Sequence, residues 1–261
     1  MILNSEQPIG FMDSGLGGIS VLREAVRLMP EEDFIYIGDS AHAPYGTRPR
    51  EEIRALTYAV VEQLLDRGIK GLAVACNTAT GAAVASLRQR YPQLPLVGIE
   101  PAIKPAVESG EGGRILVMAT PMTIRQEKFG RLLARYQDQA EIIPIPCEGL
   151  MEFVEAGTLK GEQLDAYLER VVGPYLNDRT ESIVLGCTHY PFLRRELRAF
   201  LKDRKVALID GSFGTARELK RRLSVAGLLR NGHKGTVTIE NTSEDPELIR
   251  RSYELLNMDL D

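Results

Sequence analysis

The sequence is poor in the features that define several classes of protein. Its 261 residues include three cysteines, an odd number that does not build a disulfide framework. No stretch approaches the ~20 consecutive apolar residues that a membrane-spanning helix needs. The first ten residues, MILNSEQPIG, lack the basic start and apolar centre of a secretory signal. We therefore predict a soluble, cytoplasmic protein that does not bind a membrane.

Clustered positive charge is also missing. The chain has 32 Lys and Arg against 36 Asp and Glu, a formal net charge of −4. The basic segments are broken up, since RRELR at 194–198 contains an acidic residue and RR at 221–222 is short. Nucleic-acid binding usually requires a clustered basic face. The charge pattern therefore argues against a nucleic acid as the main ligand.

Short apolar runs alternate with amphipathic segments along the whole chain. In Arg50–Arg67 the apolar residues recur at helical spacing, and Gly68 follows where a left-handed helix cap favours glycine. This alternation predicts an α/β fold with mainly parallel sheets flanked by helices, and the length allows two domains of about 100–150 residues. The predicted strands are Pro8–Met12, Phe34–Gly38, Gly71–Cys76, Leu96–Ile99, Arg114–Ala119, Glu141–Ile145, Ser182–Cys187, Val206–Ile209 and Gly235–Ile239.

A weak internal repeat suggests two similar domains. LAVACNTA at 72–79 and IVLGCTHY at 183–190 each combine an apolar run, a cysteine predicted as its last strand residue, and polar residues that open a helix. IGFMDSG at 9–15 and ILVMATP at 115–121 also match, but any two strand-helix units look alike, and we give this pair no weight. Ligands of open α/β sheets bind at the carboxyl ends of strands. A cleft between two such domains would therefore contain both cysteines.

The segment DSGLGG at 13–18 follows a predicted strand and opens a helix. Its glycines allow backbone N–H groups to approach an anion at the helix N-terminus. Asp39 could serve as the ribose-binding acid of a dinucleotide site, but Ser20 stands where the third glycine belongs, which disfavours NAD. In the simplest interpretation, Asp13 or Ser14 only caps the helix.

Two cysteine motifs, CNTAT from Cys76 and CTHYP from Cys187, are candidates for chemistry. A buried cysteine is usually inert, but a helix N-terminus lowers the pKa of a thiol below its usual value of about 8.5. His189 could exchange a proton with Cys187. A Cys–His hydrolase would leave Cys76 without a role. A zinc site of Cys76, Cys187 and His189, or a redox thiol pair, lacks the expected CxxC spacing. Cys147 is interpreted as structural.

Taken together, these segments resemble the glutamate racemase family. The matching pieces are DSGLGG (13–18), YIGDSAHAPYG (36–46), ACNTAT (75–80), GIEPA (98–102), LGCTHYP (185–191) and IDGS (209–212), in the family's order. The resemblance implies two α/β domains related by a pseudo-twofold axis, 1–98 plus 212–261 and 99–211, with the active site in the cleft between them. It further implies cofactor-independent and metal-independent interconversion of L- and D-glutamate, supply of D-glutamate for peptidoglycan synthesis, and a homodimer.

The resemblance also implies roles for individual residues. Cys76 and Cys187 become the two acid/base thiols, assisted by Asp13 and His189 respectively, while Asp39 and Glu155 become supporting acids. Ser14, Pro44, Tyr45 and Gly46 are expected at the substrate's side-chain carboxylate. Asn77, Thr78 and Thr188 are expected at its α-carboxylate and amine. Asp13, Thr120 and Thr123 complete the expected contacts.

One segment departs from the family pattern. Residues 146–157 read PCEGLMEFVEAG where the family resembles CPxFVPLVExG, so Glu148 and Glu152 replace two prolines. Because Glu155 keeps the family's acidic position, we prefer it over Glu152 as the supporting acid.

Two other functions remain open from the sequence. An aspartate or hydantoin racemase would share the two cysteines, although PYG and the complete LGCTHYP favour glutamate. A racemase with an added regulatory role, such as binding a gyrase, would also fit. The matched segments DSGLGG, PYG, CNTAT and CTHY contain no Arg or Lys. We therefore predict that backbone amides and hydroxyls hold the substrate carboxylates.

Overall fold

The structure, a computed structural model, describes residues 3–260 as strands that alternate with helices. The strands are β1 Ile9–Asp13, β2 Phe34–Gly38, β3 Gly71–Val74, β4 Leu96–Gly98, β5 Arg114–Ala119, β6 Glu141–Pro146, β7 Thr180–Leu185, β8 Ala207–Asp210 and β9 Val237–Asn241. The helices are α1 Ile19–Leu28, α2 Arg50–Asp66, α3 Asn77–Arg90, α4 Ile103–Ser109, α5 Pro121–Arg125, α6 Glu127–Tyr136, α7 Leu150–Glu155, α8 Glu162–Val171, α9 Arg194–Leu201, α10 Ser212–Val225 and α11 Pro246–Asn257. Every strand pairing is parallel, which confirms the predicted α/β class.

The chain divides into two compact units. The first contains the residues up to Ile99 and returns as Ser212–Met258, whereas the second contains Glu100–Gly211 and the residues from Asp259. The sheet of the first unit has the strand order β4-β3-β1-β2-β9, and that of the second has the order β6-β5-β7-β8. Listed from its opposite edge, the second sheet has the order β8-β7-β5-β6. If its strands are numbered from the start of the second unit, this is the order 4-3-1-2, which is the order of the first four strands listed for the first sheet.

This shared strand order makes β3 equivalent to β7, and β1 equivalent to β5. Both sequence pairs therefore mark equivalent strands, including the pair 9–15 and 115–121 that we had set aside. Turn sequences alone could not distinguish this pair from chance, because strand order depends on pairing between distant segments.

Both cysteines lie just outside their strands, contrary to the prediction. The last backbone hydrogen bonds to the neighbouring strand are donated by Ala75, at 2.8 Å, and by Gly186, at 2.7 Å. After these bonds the chain leaves the sheet, so that Cys76 and Cys187 each follow a strand instead of ending it. The thiols are therefore held by turns, which leaves their sulfur atoms available to groups other than the sheet.

Helix α2 agrees with its sequence pattern. It ends at Asp66, with Arg67 as its C-terminal cap, and Gly68 has a φ of +72°. The predicted left-handed glycine is therefore confirmed. The amide of Gly68 donates to Leu65 O at 2.9 Å, which closes the last turn of the helix.

Apolar side chains fill the interior of both units, and the first also contains a buried ion pair. In the second, Phe129 of α6 packs with Ile115 and Val117 of β5 in an apolar cluster. In the first, Lys70 and Glu32 form a completely buried ion pair, with Nζ and Oε2 2.5 Å apart. None of the helices in residues 3–260 is both long enough and apolar enough to span a bilayer.

Candidate active site

The loop after β1 is held by hydrogen bonds of its own backbone and side chains. The buried carboxylate of Asp13 accepts from Gly15 N at 2.8 Å, and Tyr36 Oη donates to Gly15 O at 2.7 Å. The N-cap of α1 is Gly18, which has no side-chain cap, so the predicted capping by Asp13 or Ser14 is wrong. The helix begins too far along the chain for either residue. A Cβ on Gly18 would lie 2.7 Å from Asp13 Cβ, so this glycine allows the loop to pack closely.

Cys76 is the N-cap of α3, and its sulfur lies within hydrogen-bond distance of a backbone amide and a hydroxyl. Sγ accepts from Ala79 N at 3.4 Å and lies 3.5 Å from Ser14 Oγ. The positive end of the helix dipole favours negative charge at this position. The arrangement is suited to a thiol that alternates between its neutral and ionised forms.

The first turn of α3 presents further polar groups beside this thiol. Asn77 and Thr78 are both buried. Within residues 3–260, Asn77 Oδ1 has no hydrogen-bond partner. A buried polar atom is rarely left unsatisfied, so Asn77 is a good candidate to bind a ligand.

The loop that carries Pro44, Tyr45 and Gly46 is anchored by the buried carboxylate of Asp39. Tyr45 Oη donates to Asp39 Oδ2 at 2.5 Å. Burial and this acidic neighbour raise the pKa of the Tyr45 hydroxyl well above its usual range. The other oxygen, Oδ1, accepts from Thr242 Oγ1 at 2.6 Å and lies 2.8 Å from His42 Nδ1.

Asp39 is therefore a support for its loop, because side chains of this chain occupy both of its oxygens. Sequence reasoning missed Thr242 in this arrangement. Thr242 lies 203 residues from Asp39, and no motif surrounds it.

In the second unit, Cys187 lies beside a buried histidine. His189 Nδ1 is 3.6 Å from Cys187 Sγ, and Nε2 is 2.6 Å from Glu155 Oε1. Burial opposes protonation of the imidazole, but the hydrogen bonds to Cys187 and Glu155 outweigh it and hold the pKa of His189 well above 6.5. A protonated His189 can thus donate to the sulfur and to the carboxylate at the same time.

Helix α7 brings Glu155, and not Glu152, to this histidine. Glu155 is partly buried in its contact with His189, whereas Glu152 is exposed. The contact exists although the segment around it departs from the family pattern. The acidic residue at the family's position is the one that contacts the site.

Hydroxyl groups complete this part of the second unit. Thr120 follows β5 and caps α5, accepting from Thr123 N at 3.2 Å and donating to Thr123 Oγ1 at 3.0 Å. Thr188 is buried directly after Cys187. Thr120 and Thr123 therefore stabilise each other at the carboxyl end of β5, the end of a parallel strand where ligands usually bind.

Cys147 contrasts with the other two cysteines. Burial and the nearby Cys187 raise the pKa of its thiol to about 12, so it is neutral at physiological pH. All three cysteines are free. Among the described residues, no group of three or more His, Cys, Asp or Glu side chains is arranged to hold a metal ion.

Comparison with known proteins gives a consistent result. Residues 9–218 match the Asp/Glu/Hydantoin racemase family. A glutamate racemase of Clostridium botulinum is 50% identical over 97% of this chain and 98% of its own length. The solved structure of the Bacillus anthracis glutamate racemase isoform RacE1 has a TM-score of 0.87 and 29% identity, covering 98% of this chain and 96% of that one.

A second solved structure contains a substrate. The Escherichia coli glutamate racemase, in complex with L-glutamate and the activator UDP-MurNAc-ala, has a TM-score of 0.79 and 28% identity, covering 96% of this chain and 92% of that one. With a family match over most of the sequence and a relative at 50% identity, this chain belongs to the Asp/Glu/Hydantoin racemase family.

Proposed function

We propose that this protein is a glutamate racemase that interconverts L- and D-glutamate with two thiols. The observation that carries the proposal is the pair of buried cysteines, Cys76 and Cys187, which follow the equivalent strands β3 and β7. Cysteine at both equivalent positions suits a reaction that needs one acid/base group for each face of a carbon atom. The relatives named as glutamate racemases support glutamate as the substrate.

In the proposed reaction the Cys187 thiolate removes the α-proton of L-glutamate. The C–H bond breaks, an S–H bond forms, and the electron pair remains on the α-carbon and its carboxylate. The Cys76 thiol then gives its proton to the opposite face, which forms D-glutamate and leaves a thiolate on Cys76. The reverse reaction exchanges the two roles. A thiol with a pKa near 8.5 is already a few per cent ionised at neutral pH, as general acid–base catalysis requires.

The neighbours of each thiol support these roles. A protonated His189 and a thiolate on Cys187 stabilise each other across the 3.6 Å contact. On the other side, Ser14 and the N-terminus of α3 stabilise charge on Cys76. We assign Asp13 to assist Cys76, as His189 assists Cys187.

Neutral donors hold the substrate in this proposal. Asn77, Thr78 and Thr188 bind the α-carboxylate and amine, where fixed dipoles stabilise the carbanion-like transition state. Ser14 and the loop of Pro44, Tyr45 and Gly46 bind the side-chain carboxylate. Asp13, Thr120 and Thr123 supply further polar contacts. Because the loop sets the reach of the site, aspartate should be a poor substrate compared with glutamate.

Isotope exchange tests the two-thiol mechanism. With L-glutamate in D2O, the early D-product should contain deuterium at the α-carbon while recovered L-glutamate keeps its hydrogen, since each thiol serves one face. Mass spectrometry after chiral separation measures both. A D-product that carries protium at early times would show that one base serves both faces, contrary to the proposal. Similar kcat/KM for aspartate and glutamate would instead favour a related racemase.

The cellular role follows from the product. We propose that the D-glutamate supplies peptidoglycan synthesis in the cytoplasm, and that the enzyme is a homodimer. Restored growth of a bacterial strain that requires D-glutamate would support the first part, with a Cys76→Ser variant as the control. Sedimentation at several concentrations tests the dimer. A regulatory protein-binding role, which the sequence left open, has no specific observation in its favour.

A further inference from the structure

Thr242 lies directly after β9 and contacts the loop that follows β2. Its hydroxyl donates to Asp39 Oδ1 at 2.6 Å and accepts from Ala41 N at 3.2 Å. Its backbone amide donates to Gly38 O at 2.9 Å. The single hydroxyl therefore joins the buried carboxylate to the backbone of the same loop.

The neighbouring residue on β9 strengthens this attachment. Asn241 Nδ2 donates to Ser40 Oγ at 2.9 Å. Two successive residues of the C-terminal segment thus hold the loop that begins at Asp39. Both lie beyond residue 218, where the match to the racemase family ends.

The carboxylate of Asp39 connects Thr242 to Tyr45 by hydrogen bonds. Asp39 is 1% exposed, so its carboxyl oxygens must find their hydrogen-bond partners inside the protein. Thr242 and His42 serve Oδ1, and Tyr45 serves Oδ2. His42 is about half exposed, with 49% of its side chain accessible, whereas Thr242 is partly buried and is the less solvent-exposed partner of Oδ1.

We infer that Thr242 is a positioning residue for substrate specificity. Through Asp39 it fixes Tyr45 and Gly46 where they bind the side-chain carboxylate of the substrate. This inference rests on the proposed function, because it assumes that this loop binds glutamate. In this inference Thr242 acts through Asp39 and not by contact with the substrate.

The expected kinetic effect is on binding and not on chemistry. Contacts to the distal carboxylate are made equally in the ground state and the transition state, so weakening them raises KM and leaves kcat nearly unchanged. Thr242→Val removes the hydroxyl while keeping a similar shape. We expect KM for L-glutamate to rise about tenfold, which corresponds to about 1.4 kcal/mol.

The experiment compares four variants of the full chain. Thr242→Val and Thr242→Ala remove the hydroxyl, Thr242→Ser keeps it, and Thr238→Val is the matched control, because Thr238 is an exposed threonine on the same strand. Circular dichroism and thermal unfolding check that each variant folds. If the valine variant does not fold, the alanine variant answers the same question. Racemisation of glutamate and aspartate is measured in both directions for each.

The inference predicts a raised KM, a retained kcat and weaker preference for glutamate over aspartate in the variants without the hydroxyl. Thr242→Ser and Thr238→Val should behave like the parent. An unchanged KM, a loss of kcat alone, or a serine variant as impaired as the valine variant would overturn it. If the parent protein does not racemise glutamate, the proposed function fails, which is a separate outcome.

Discussion

Cys76 and Cys187 have different hydrogen-bond partners although they follow equivalent strands. Cys76 has a hydroxyl and a backbone amide within reach, whereas Cys187 has an imidazole that is itself bound to Glu155. The group beside Cys187 is therefore a protonated imidazole, whereas a hydroxyl and a backbone amide lie beside Cys76. We expect the two directions of the reaction to respond differently to pH and to substitution.

Replacing either thiol should abolish racemisation. Cys76→Ser or Cys187→Ser removes the acid/base group of one face, and general acid–base catalysis contributes about 10²–10⁴-fold in rate. Chiral chromatography of the product measures the loss. Cys147→Ala is the control, since Cys147 is buried but has no role in the proposed mechanism, and its activity should remain close to that of the parent. Near-normal turnover in Cys76→Ser would contradict the two-thiol mechanism.

Glu155 should set the titration of His189. The Glu155→Gln variant replaces a carboxylate with a neutral group, so the pKa of His189 should fall from its raised value toward 6.5. NMR titration of the imidazole protons measures the pKa of His189. The chain has only three histidines, so their signals can be assigned individually. Glu152→Gln, which changes an exposed carboxylate on the same helix, should leave the titration unchanged.

The same shift has a consequence for stability. A histidine whose pKa is raised in the folded state stabilises the protein fully below its unfolded pKa of about 6.5 and loses that contribution as the pH rises through the raised value. The parent should therefore exceed Glu155→Gln in stability most clearly near pH 6, and the difference should shrink in alkaline solution. A constant difference across this range would indicate that Glu155 acts on packing and not on the proton.

At the scale of elements, the turns after β1 and β7 depend on glycines that let backbone segments approach each other. A Cβ on Gly186 would lie 2.6 Å from the carbonyl oxygen of Met118, a backbone atom that cannot move away easily. Gly186 directly precedes Cys187. The position of that thiol therefore depends on the absence of a side chain.

The Gly186→Ala variant should be less stable by about 1–3 kcal/mol, the usual cost of overpacking. Urea denaturation measures this change. Gly214→Ala is the control, because a Cβ at this exposed position of α10 meets no atom within 4 Å. Alanine is the better helix former, so this variant should gain up to about 1 kcal/mol. Equal stability of the two variants would contradict the proposed close approach.

Local signals explain why the elements could be predicted better than the connections between them. The apolar runs predicted all nine strands, and Gly68 marked the end of α2, because these features depend on neighbouring residues. The strand ends at Cys76 and Cys187 were misplaced, since only pairing with another strand decides where a strand stops. The contacts of Asp39 with Thr242 and of His189 with Glu155 join segments far apart in sequence, and no local pattern encodes them.

At the scale of the whole molecule, one buried ion pair joins four distant segments of the first unit. Lys70 Nζ contacts Glu32 Oε2 and donates to Ser5 O at 2.5 Å, while Glu32 Oε1 accepts from Arg230 N at 2.9 Å. Lys70 precedes β3 and Cys76 follows it, so the ion pair lies at the end of the strand away from the thiol. We expect it to affect stability without affecting chemistry.

The Lys70→Met variant should lose about 3–5 kcal/mol, because it leaves the carboxylate of Glu32 buried without a counter-charge. The double variant Lys70→Met with Glu32→Gln should recover much of this loss, since glutamine is neutral and still accepts from Arg230. Urea denaturation compares the three proteins, and kcat of the folded fraction should be unchanged. A single variant as stable as the parent would contradict the importance of the pair.

The division of the chain into the two units predicts separate folding domains, one made of the residues up to Ile99 with Ser212–Met258 and one made of Glu100–Gly211. Limited proteolysis should therefore cut first near Ile99 or Ser212, where the chain passes between the units. Release of a compact fragment that corresponds to residues 100–211 would support the division. Uniform digestion of the whole chain would argue against it.

The interrupted first unit has a consequence for how the protein emerges from the ribosome. Helix α10 packs against α1, and β9 completes the first sheet beside β2, yet both are synthesised only after Glu100–Gly211 of the second unit. Multidomain proteins usually fold from the N-terminus as they are made. Here the order is reversed, because Glu100–Gly211 of the second unit is synthesised before the first unit is complete. Strands β1 to β4 are made early, but the edge of β2 stays unpaired until residues 237–241 leave the ribosome.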